Sequence, residues 1–287
     1  MEQEKPRRLE ADTIAYVTGL KPTLVRREGE EEEEAEAERM SLLVGNVLDE
    51  LKSRLASVAC DRHTHEVLET LVSFASLPQL LVLMTRLASY AVFLASNRHA
   101  SHILQTIMSH LVRFMRQGET ADTLHNVVVS FAAPLIEELP FLAADISGSH
   151  VIRSLISLLI GVPVVAEKKG KASKHRHSVA LGCPLESITD PALFTIHADH
   201  FIDTPPDFER LLIRGIELLL SLSKSDLLAV CVSPSGSVVL GLLTRSLLST
   251  GNPRAEARLH MQRLLQKIIE PKEQEDCVYG LAGERGG

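Results

Sequence analysis

The stretch Asn97-Arg98-His99-Ala100-Ser101-His102-Ile103-Leu104-Gln105 decides the fold class. It opens a helix with two kinds of face. At about 100° per residue, Ser101, His102, Gln105 and Ser109 fall on one polar stripe. Ile103, Leu104, Ile107, Met108 and Leu111 cover the other faces and are core candidates. A small polar residue, a flat one and an amide at i, i+1 and i+4 can together hold a nucleobase. The hydroxyl and amide reach its edge, and the imidazole stacks on its face. The plainer reading of the same residues is a half-buried polar face in an all-helical protein.

The pattern recurs. Asp61-Arg62-His63-Thr64-His65-Glu66-Val67-Leu68-Glu69 and Asp145-Ile146-Ser147-Gly148-Ser149-His150-Val151-Ile152-Arg153 share its shape. Ser233-Pro234-Ser235-Gly236-Ser237-Val238-Val239-Leu240-Gly241 is a weaker copy. Each begins with a capping-type residue and sets two apolar residues before the i+4 position. The marker residues His65, Ser101, Ser149 and Ser237 are 36, 48 and 88 residues apart. Discounting the 44 residues of 162–205, where the pattern breaks, brings the last spacing to 44. A unit near 36 residues, with insertions, predicts an all-α, curved α-solenoid whose stacked units share one core.

Composition fits that class. The 287 residues are 45% hydrophobic, enough for a large core, and only 4% aromatic with no Trp. The formal charge of −7 argues against a nucleic-acid binder until its location is noticed. Eight glutamates lie between 28 and 38, and setting them aside turns −7 into +1. An RNA surface here therefore needs segregated charge, not bulk charge. Cys60, Cys183, Cys231 and Cys277 are far apart and form no C-x-x-C pair, which argues against a zinc site or disulfide framework and fits a reducing compartment. The N-terminus is charged with no apolar segment after it, unlike a signal peptide. The apolar run 155–166 is too short for a bilayer, so no membrane partner is expected.

Along the chain, 1–40 reads as an N-terminal segment: a short helix at 13–20 packing on the first unit, then the acidic run as a solvated linker. Residues 41–287 read as the array, about four to five repeats of a series expected to be longer, with a basic insertion at 162–205. Leu42, Leu43, Val47, Leu48, Leu51 and Leu55 form the first apolar stripe. Helices are predicted over 62–74, with Asp61 as N-cap, and over 79–95, with Ser96 or Asn97 capping the next. The region 121–144 is helical but interrupted by Pro134 and Pro140, and the following helix ends near Gly161. Lys168 to His177 reads as a solvated basic loop that can touch phosphate. Helical periodicity resumes at 207–232 and again at 259–269. Beyond about Glu270 no stable unit is expected, and no polar capping unit follows.

Helical units near 36 residues with a three-residue face at i, i+1 and i+4 resemble Pumilio (PUF) repeats. The resemblance implies that one helix per repeat reads one base, with two residues on its edge and the residue between them stacking. Carried onto this sequence, the edge pairs are His65/Glu69, Ser101/Gln105, Ser149/Arg153 and Ser237/Gly241. The stacking positions are Glu66, His102, His150 and Val238. Ser101-His102-Gln105 fits the family pattern, and Ser with Gln is similar to its adenine-type pair. Arg153 departs from the usual amide or carboxylate, Glu66 is a carboxylate where a stacker belongs, and Val238 with Gly241 leaves little base-reading chemistry. The order of features is similar to a nucleolar, Pumilio-like branch of the family. These features include Ala15-Tyr16 before the acidic run, Leu43-Val44-Gly45-Asn46-Val47-Leu48-Asp49-Glu50-Leu51, and a Lys-rich insertion after the third unit. That likeness implies a monomeric array in the nucleus and nucleolus that binds pre-ribosomal RNA during 18S rRNA maturation, in the company of pre-ribosomal proteins.

Two other classes compete. A protein-binding scaffold of HEAT or armadillo type uses the same core, but has no reason to repeat Ser-His-x-x-Gln/Arg at 101 and 149. An enzyme is suggested by the pairs His63/His65, His99/His102 and His197/His200. His99 and His102 lie at i and i+3, yet no Asp or Glu completes a convincing metal set. No phosphate loop or nucleophile elbow is present. No catalysis, cofactor or metal is therefore expected.

Overall fold

The computed structural model describes residues 5–24, 33–118, 122–162, 202–249 and 252–270. Among the described residues the chain forms fourteen α-helices and no strand. A leading helix, α1 (Ala11–Gly19), is followed by a 3-10 turn (Lys21–Leu24). Four units of three helices come next. They are α2 (Glu33–Glu50), α3 (Leu55–Cys60) and α4 (His65–Ser73); then α5 (Leu77–Leu87), α6 (Ala91–Ser96) and α7 (Ala100–Arg116). The third unit is α8 (Asp122–Glu137), α9 (Leu139–Ala144) and α10 (Ile146–Ile160). The fourth is α11 (Pro206–Ser221), α12 (Lys224–Val232) and α13 (Pro234–Leu248), after which α14 (Ala255–Ile269) continues the series.

Equivalent helices stack on one another and form three rows. The outer row is α2, α5, α8, α11 and α14; the short middle row is α3, α6, α9 and α12; the inner row is α4, α7, α10 and α13. Each unit buries its apolar faces against its neighbours, so one core runs from Val17 to Leu264. The chain is an α-solenoid. Its N-terminal end is covered by α1, whose Val17 is fully buried. Arg54 fixes that helix by donating to Thr13 Oγ1 at 2.8 Å.

The same local device starts every inner helix. Four residues before each marker, a short polar side chain accepts from free backbone N–H groups at or near the helix start. Asp61 Oδ1 accepts from His63 at 2.9 Å, and Asn97 Oδ1 from His99 at 2.9 Å and Ala100 at 3.1 Å. Asp145 Oδ1 and Ser233 Oγ accept from Gly148 at 2.6 Å and Gly236 at 3.0 Å. In units 1, 3 and 4 the residue just before the marker then lies against the middle-row helix. Thr64 Oγ1 donates to the Val58 carbonyl at 2.8 Å. A Cβ on Gly148 would sit 2.8 Å from the Leu142 carbonyl, and one on Gly236 would overlap the Val230 carbonyl. Each of these carbonyls lies six residues upstream, so the three contacts are equivalent.

The insertion leaves and returns at one place. α10 ends at Gly161, which takes the left-handed conformation (φ 73°). Ile202 and Thr204 lie directly against that glycine. Thr204 Oγ1 donates to the Leu159 carbonyl at 3.4 Å. Arg254, only 4% exposed, donates to Thr204 Oγ1, to the Leu159 carbonyl at 3.5 Å and to Asn252 Oδ1 at 3.5 Å. The direct packing of α13 on α10 is what the discounted spacing requires.

Several expectations change. The acidic run is not linker throughout, because α2 begins at Glu33. Its buried stripe is Met40, Val44, Val47 and Leu48, continued by Leu51 just beyond its end, while Leu42 is 63% exposed. The helix predicted over 62–74 is confined to α4, with Asp61 holding the turn before it. The helix predicted over 79–95 is broken by a 3-10 turn at Ala88–Tyr90. No Gly or Pro marks that break, and Leu87, Ala91 and Leu94 are buried on both sides of it. The same stretch, Leu77–Ser96, is as long and apolar as a membrane span, yet half of it is buried. Pro134 does not end α8. The basic loop at 168–177 and the segment 271–287 lie outside the described residues.

Two glycine substitutions test this geometry with opposite signs. Gly148→Ala is expected to destabilise the array by about 1–3 kcal/mol, because the added methyl meets backbone that cannot swing aside. Gly241→Ala, with nothing within 4 Å, is expected to stabilise by about 0.5–1 kcal/mol through helix propensity. Urea denaturation of the two variants beside the parent chain gives both values.

Candidate nucleic-acid interface

The markers occupy equivalent positions on the inner row. Ser101 Oγ, Ser149 Oγ and Ser237 Oγ each donate to the carbonyl three residues back: Arg98 at 3.5 Å, Ile146 at 3.0 Å and Pro234 at 3.0 Å. His65 opens the equivalent helix α4 and points Nδ1 at the Asp61 carbonyl, 3.1 Å away. A carbonyl only accepts, so that nitrogen carries the proton. The fourth residue also repeats its pose. Gln105 Nε2 donates to the Ser101 carbonyl at 3.1 Å, and Arg153 Nε to the Ser149 carbonyl at 3.4 Å. The side chains that would reach a base edge are folded onto their own helix.

The exposed stripe is narrower than the helical wheel indicates. Ser101 and Gln105 are 2% and 6% exposed, and Ser149 and Arg153 are 3% and 7%. The reason is packing: α7 has α4 on one side and α10 on the other, so both flanks of its polar stripe are covered. His102 projects into solvent, and His150 is half-buried. In unit 3, an Arg153 guanidinium nitrogen lies 2.5 Å from His150 Nδ1. A guanidinium only donates, so Nδ1 accepts and the imidazole keeps its proton on Nε2. Arg153 therefore orients the ring beside it.

Units 1 and 4 differ. Glu66 is exposed and lies 3.8 Å from the Lys21 ammonium of the N-terminal segment. Glu69 accepts from Thr106 Oγ1 of α7 at 3.4 Å. Ser237 and Val238 are exposed on α13, and Gly241 supplies no side chain. One ring that the sequence reading considered only for a metal is drawn into this face. His99, at the start of α7, lies against His65 with ring centroids 4.3 Å apart and planes tilted by 40°. Its place in a capping segment hides it, because nothing in the local spacing shows which ring it meets.

Burial and neighbouring positive charge disfavour the charged form of three imidazoles. His99 is held below its ordinary pKa by burial first, then by His65 and Arg98, against an upward pull from Asp61, with His102 adding the smallest lowering. His150 is lowered by burial, then by Arg153 and His102. His110, further along α7, is lowered by burial and Arg113. Burial pushes the Cys60 thiol up to about 11, which keeps it protonated and a poor nucleophile. Among the described residues no group of three His, Cys, Asp or Glu side chains is placed to hold a metal.

The family model for the NOP9-like PUF repeat domain matches residues 53–285. The chain belongs to the NOP9-like PUF family. It is therefore an RNA-binding domain of PUF type. Among curated relatives, Nucleolar protein 9 of Mus musculus is 28% identical over 145 residues, covering 46% of this chain and 23% of that protein. Pumilio homolog 23 of Arabidopsis thaliana is 26% identical over 216 residues, covering 75% of this chain and 28% of that protein. The PUF chain thus spans about a quarter of the length of these relatives. Among solved structures, APUM23-GGAUUUGACGG aligns with a TM-score of 0.62 at 21% identity, covering 91% of this chain and 43% of that one. APUM23-GGAAUUGACGG gives 0.63 at 20%, covering 91% and 49%. At these identities the likeness carries the fold, and it agrees with the three-row array.

The lowered imidazoles fix the sign of a pH effect. The native chain binds fewer protons than the unfolded chain between the folded pKa values and about 6.5. Their contribution to stability is complete above pH ~6.5 and is lost as pH falls through that value toward the folded ones. The melting temperature is expected to fall between pH 7.5 and pH 5.5. His110→Gln and His150→Gln are each expected to flatten that fall; an unchanged slope in both would contradict the assignment.

Proposed function

We propose that the inner row binds single-stranded RNA, with successive bases against the first turns of α4, α7, α10 and α13. The observation that carries this reading is the repeated geometry of Ser101-His102-Gln105 and Ser149-His150-Arg153 on adjacent helices. In each, a stacking ring stands between a hydroxyl and a longer polar side chain held ready on a backbone carbonyl. A protein-docking scaffold has no need of that recurrence. Unit 2 reads its base most completely, since it alone combines Ser, an exposed His and an amide. His65, Glu69 and Ser237 contribute edge contacts at the ends of the row, and the Glu66 position stacks weakly or not at all.

The RNA is pre-ribosomal, and the place of action is the nucleolus, during 18S rRNA maturation and small-subunit assembly. Support comes from the names of the relatives, Nucleolar protein 9 among them. APUM23, similar in fold, was solved with a uridine-containing oligonucleotide. The chain works as a monomer beside pre-ribosomal proteins, without catalysis or cofactor. Crosslinking in cells, followed by sequencing of the attached RNA, tests the substrate. Reads concentrated in the 18S precursor support it, and reads spread over messenger RNAs contradict it.

Variants of unit 2 separate stacking from edge reading. His102→Ala is expected to weaken binding by about 1 kcal/mol, the low end of the stacking range, because imidazole is smaller than Tyr or Trp. Gln105→Ala is expected to blur discrimination at one nucleotide while phosphate contacts keep most of the affinity. Binding of both variants to RNAs that differ at single positions, with helicity checked in parallel, measures the two effects. Unchanged affinity and preference in both would favour the scaffold.

A further inference from the structure

Unit 1 has the edge residues of a base-reading helix but no flat side chain where its stacker should be. Glu66 fills that position, exposed and facing Lys21. The missing surface is present nearby. His99 comes from the next unit, crosses the α4–α7 seam and lies 4.3 Å from His65, the edge residue of unit 1. Two constraints hold the pair. The His65 ring is fixed by Nδ1 donating to the Asp61 carbonyl at 3.1 Å. The His99 backbone is fixed by its N–H donating to Asn97 Oδ1 at 2.9 Å. Three residues on, the exposed ring of His102 stands on the same first turn of α7.

We propose that His99, backed by His65, is the stacking platform for the base opposite unit 1, so that this unit borrows its stacker from unit 2. The inference rests on the RNA-binding reading above. Its chemistry is simple. A base needs a flat, polarisable, uncharged face, and the tilted pair of His65 and His99 offers imidazole rings that are both only part-buried. His99 is poorly placed to carry charge, since it is partly buried, lies beside another imidazole and is next to Arg98. A neutral ring stacks on any base, so His99 adds affinity and little sequence preference. The pair also ties the first two units together, which sets the register between the first two bases.

The test compares a random pool of 12-nucleotide RNAs with an abasic ribose-phosphate 12-mer that has the same charge and no bases. Filter binding of the full chain gives the ratio of the two affinities. His99→Ala is expected to lower affinity for the base-bearing pool roughly fivefold, the low end of one stacked base, and to leave abasic binding unchanged. His99→Phe, which keeps a flat ring against His65, is expected to restore the ratio. A merely structural role for His99 would lower both affinities together and would overturn the proposal. A parental chain that prefers the base-bearing pool while His99→Ala keeps the parental ratio overturns this assignment alone. A parental chain with no preference for bases overturns the base-reading function and this inference with it.

Discussion

In α4, α10 and α13 the residue before the marker lies hard against a carbonyl of the middle-row helix before it, and that contact sets where the polar stripe points. Thr64 meets the Val58 carbonyl, while Gly148 and Gly236 leave room only for backbone against Leu142 and Val230. The marker is the next residue, so its orientation is fixed by the contact one position earlier. The cap four residues before the marker holds the same turn from the other side. Together they turn a sequence spacing into a row of equivalent side chains. If one contact slackened, a hydroxyl, a ring and an amide would leave the inner face together.

The rest of the array follows from stacking. α7 is buried by α4 and α10 on its flanks and by α5 and α6 behind, which leaves only a thin line of it open. That explains why Ser101 and Gln105 are almost covered while His102 is not. It also explains how a long insertion is tolerated after α10. Its ends meet at Gly161, where Arg254 ties Thr204 to the end of α10 and to the segment before α14. The interruption in sequence therefore makes no interruption in the rows.

Much of this was legible in the sequence, and the parts that were not share a cause. Capping residues and markers are local signals, so Asn97, Asp145 and Gly161 declare the starts and end of helices without help from distant residues. The recurrence of the markers gave the solenoid and the order of units. What depends on neighbours in space was hidden. The break at Ala88–Tyr90 lies inside a continuous apolar run, and packing on both sides decides it. The Arg153–His150 contact depends on a rotamer. The His65–His99 pair depends on which turn of α7 faces α4. The helical wheel placed Ser101 and Gln105 off the apolar faces, but could not show that flanking helices would close over them.

Mapping the protein contacts of a bound RNA tests the central claim most directly. RNA carrying 4-thiouridine would be crosslinked to the chain, and the attached peptides identified by mass spectrometry. The inner-row account predicts crosslinks in the first turns of α7 and α10, at residues 99–105 and 147–153. Crosslinks confined to the outer row, on α5, α8 and α11, would contradict it.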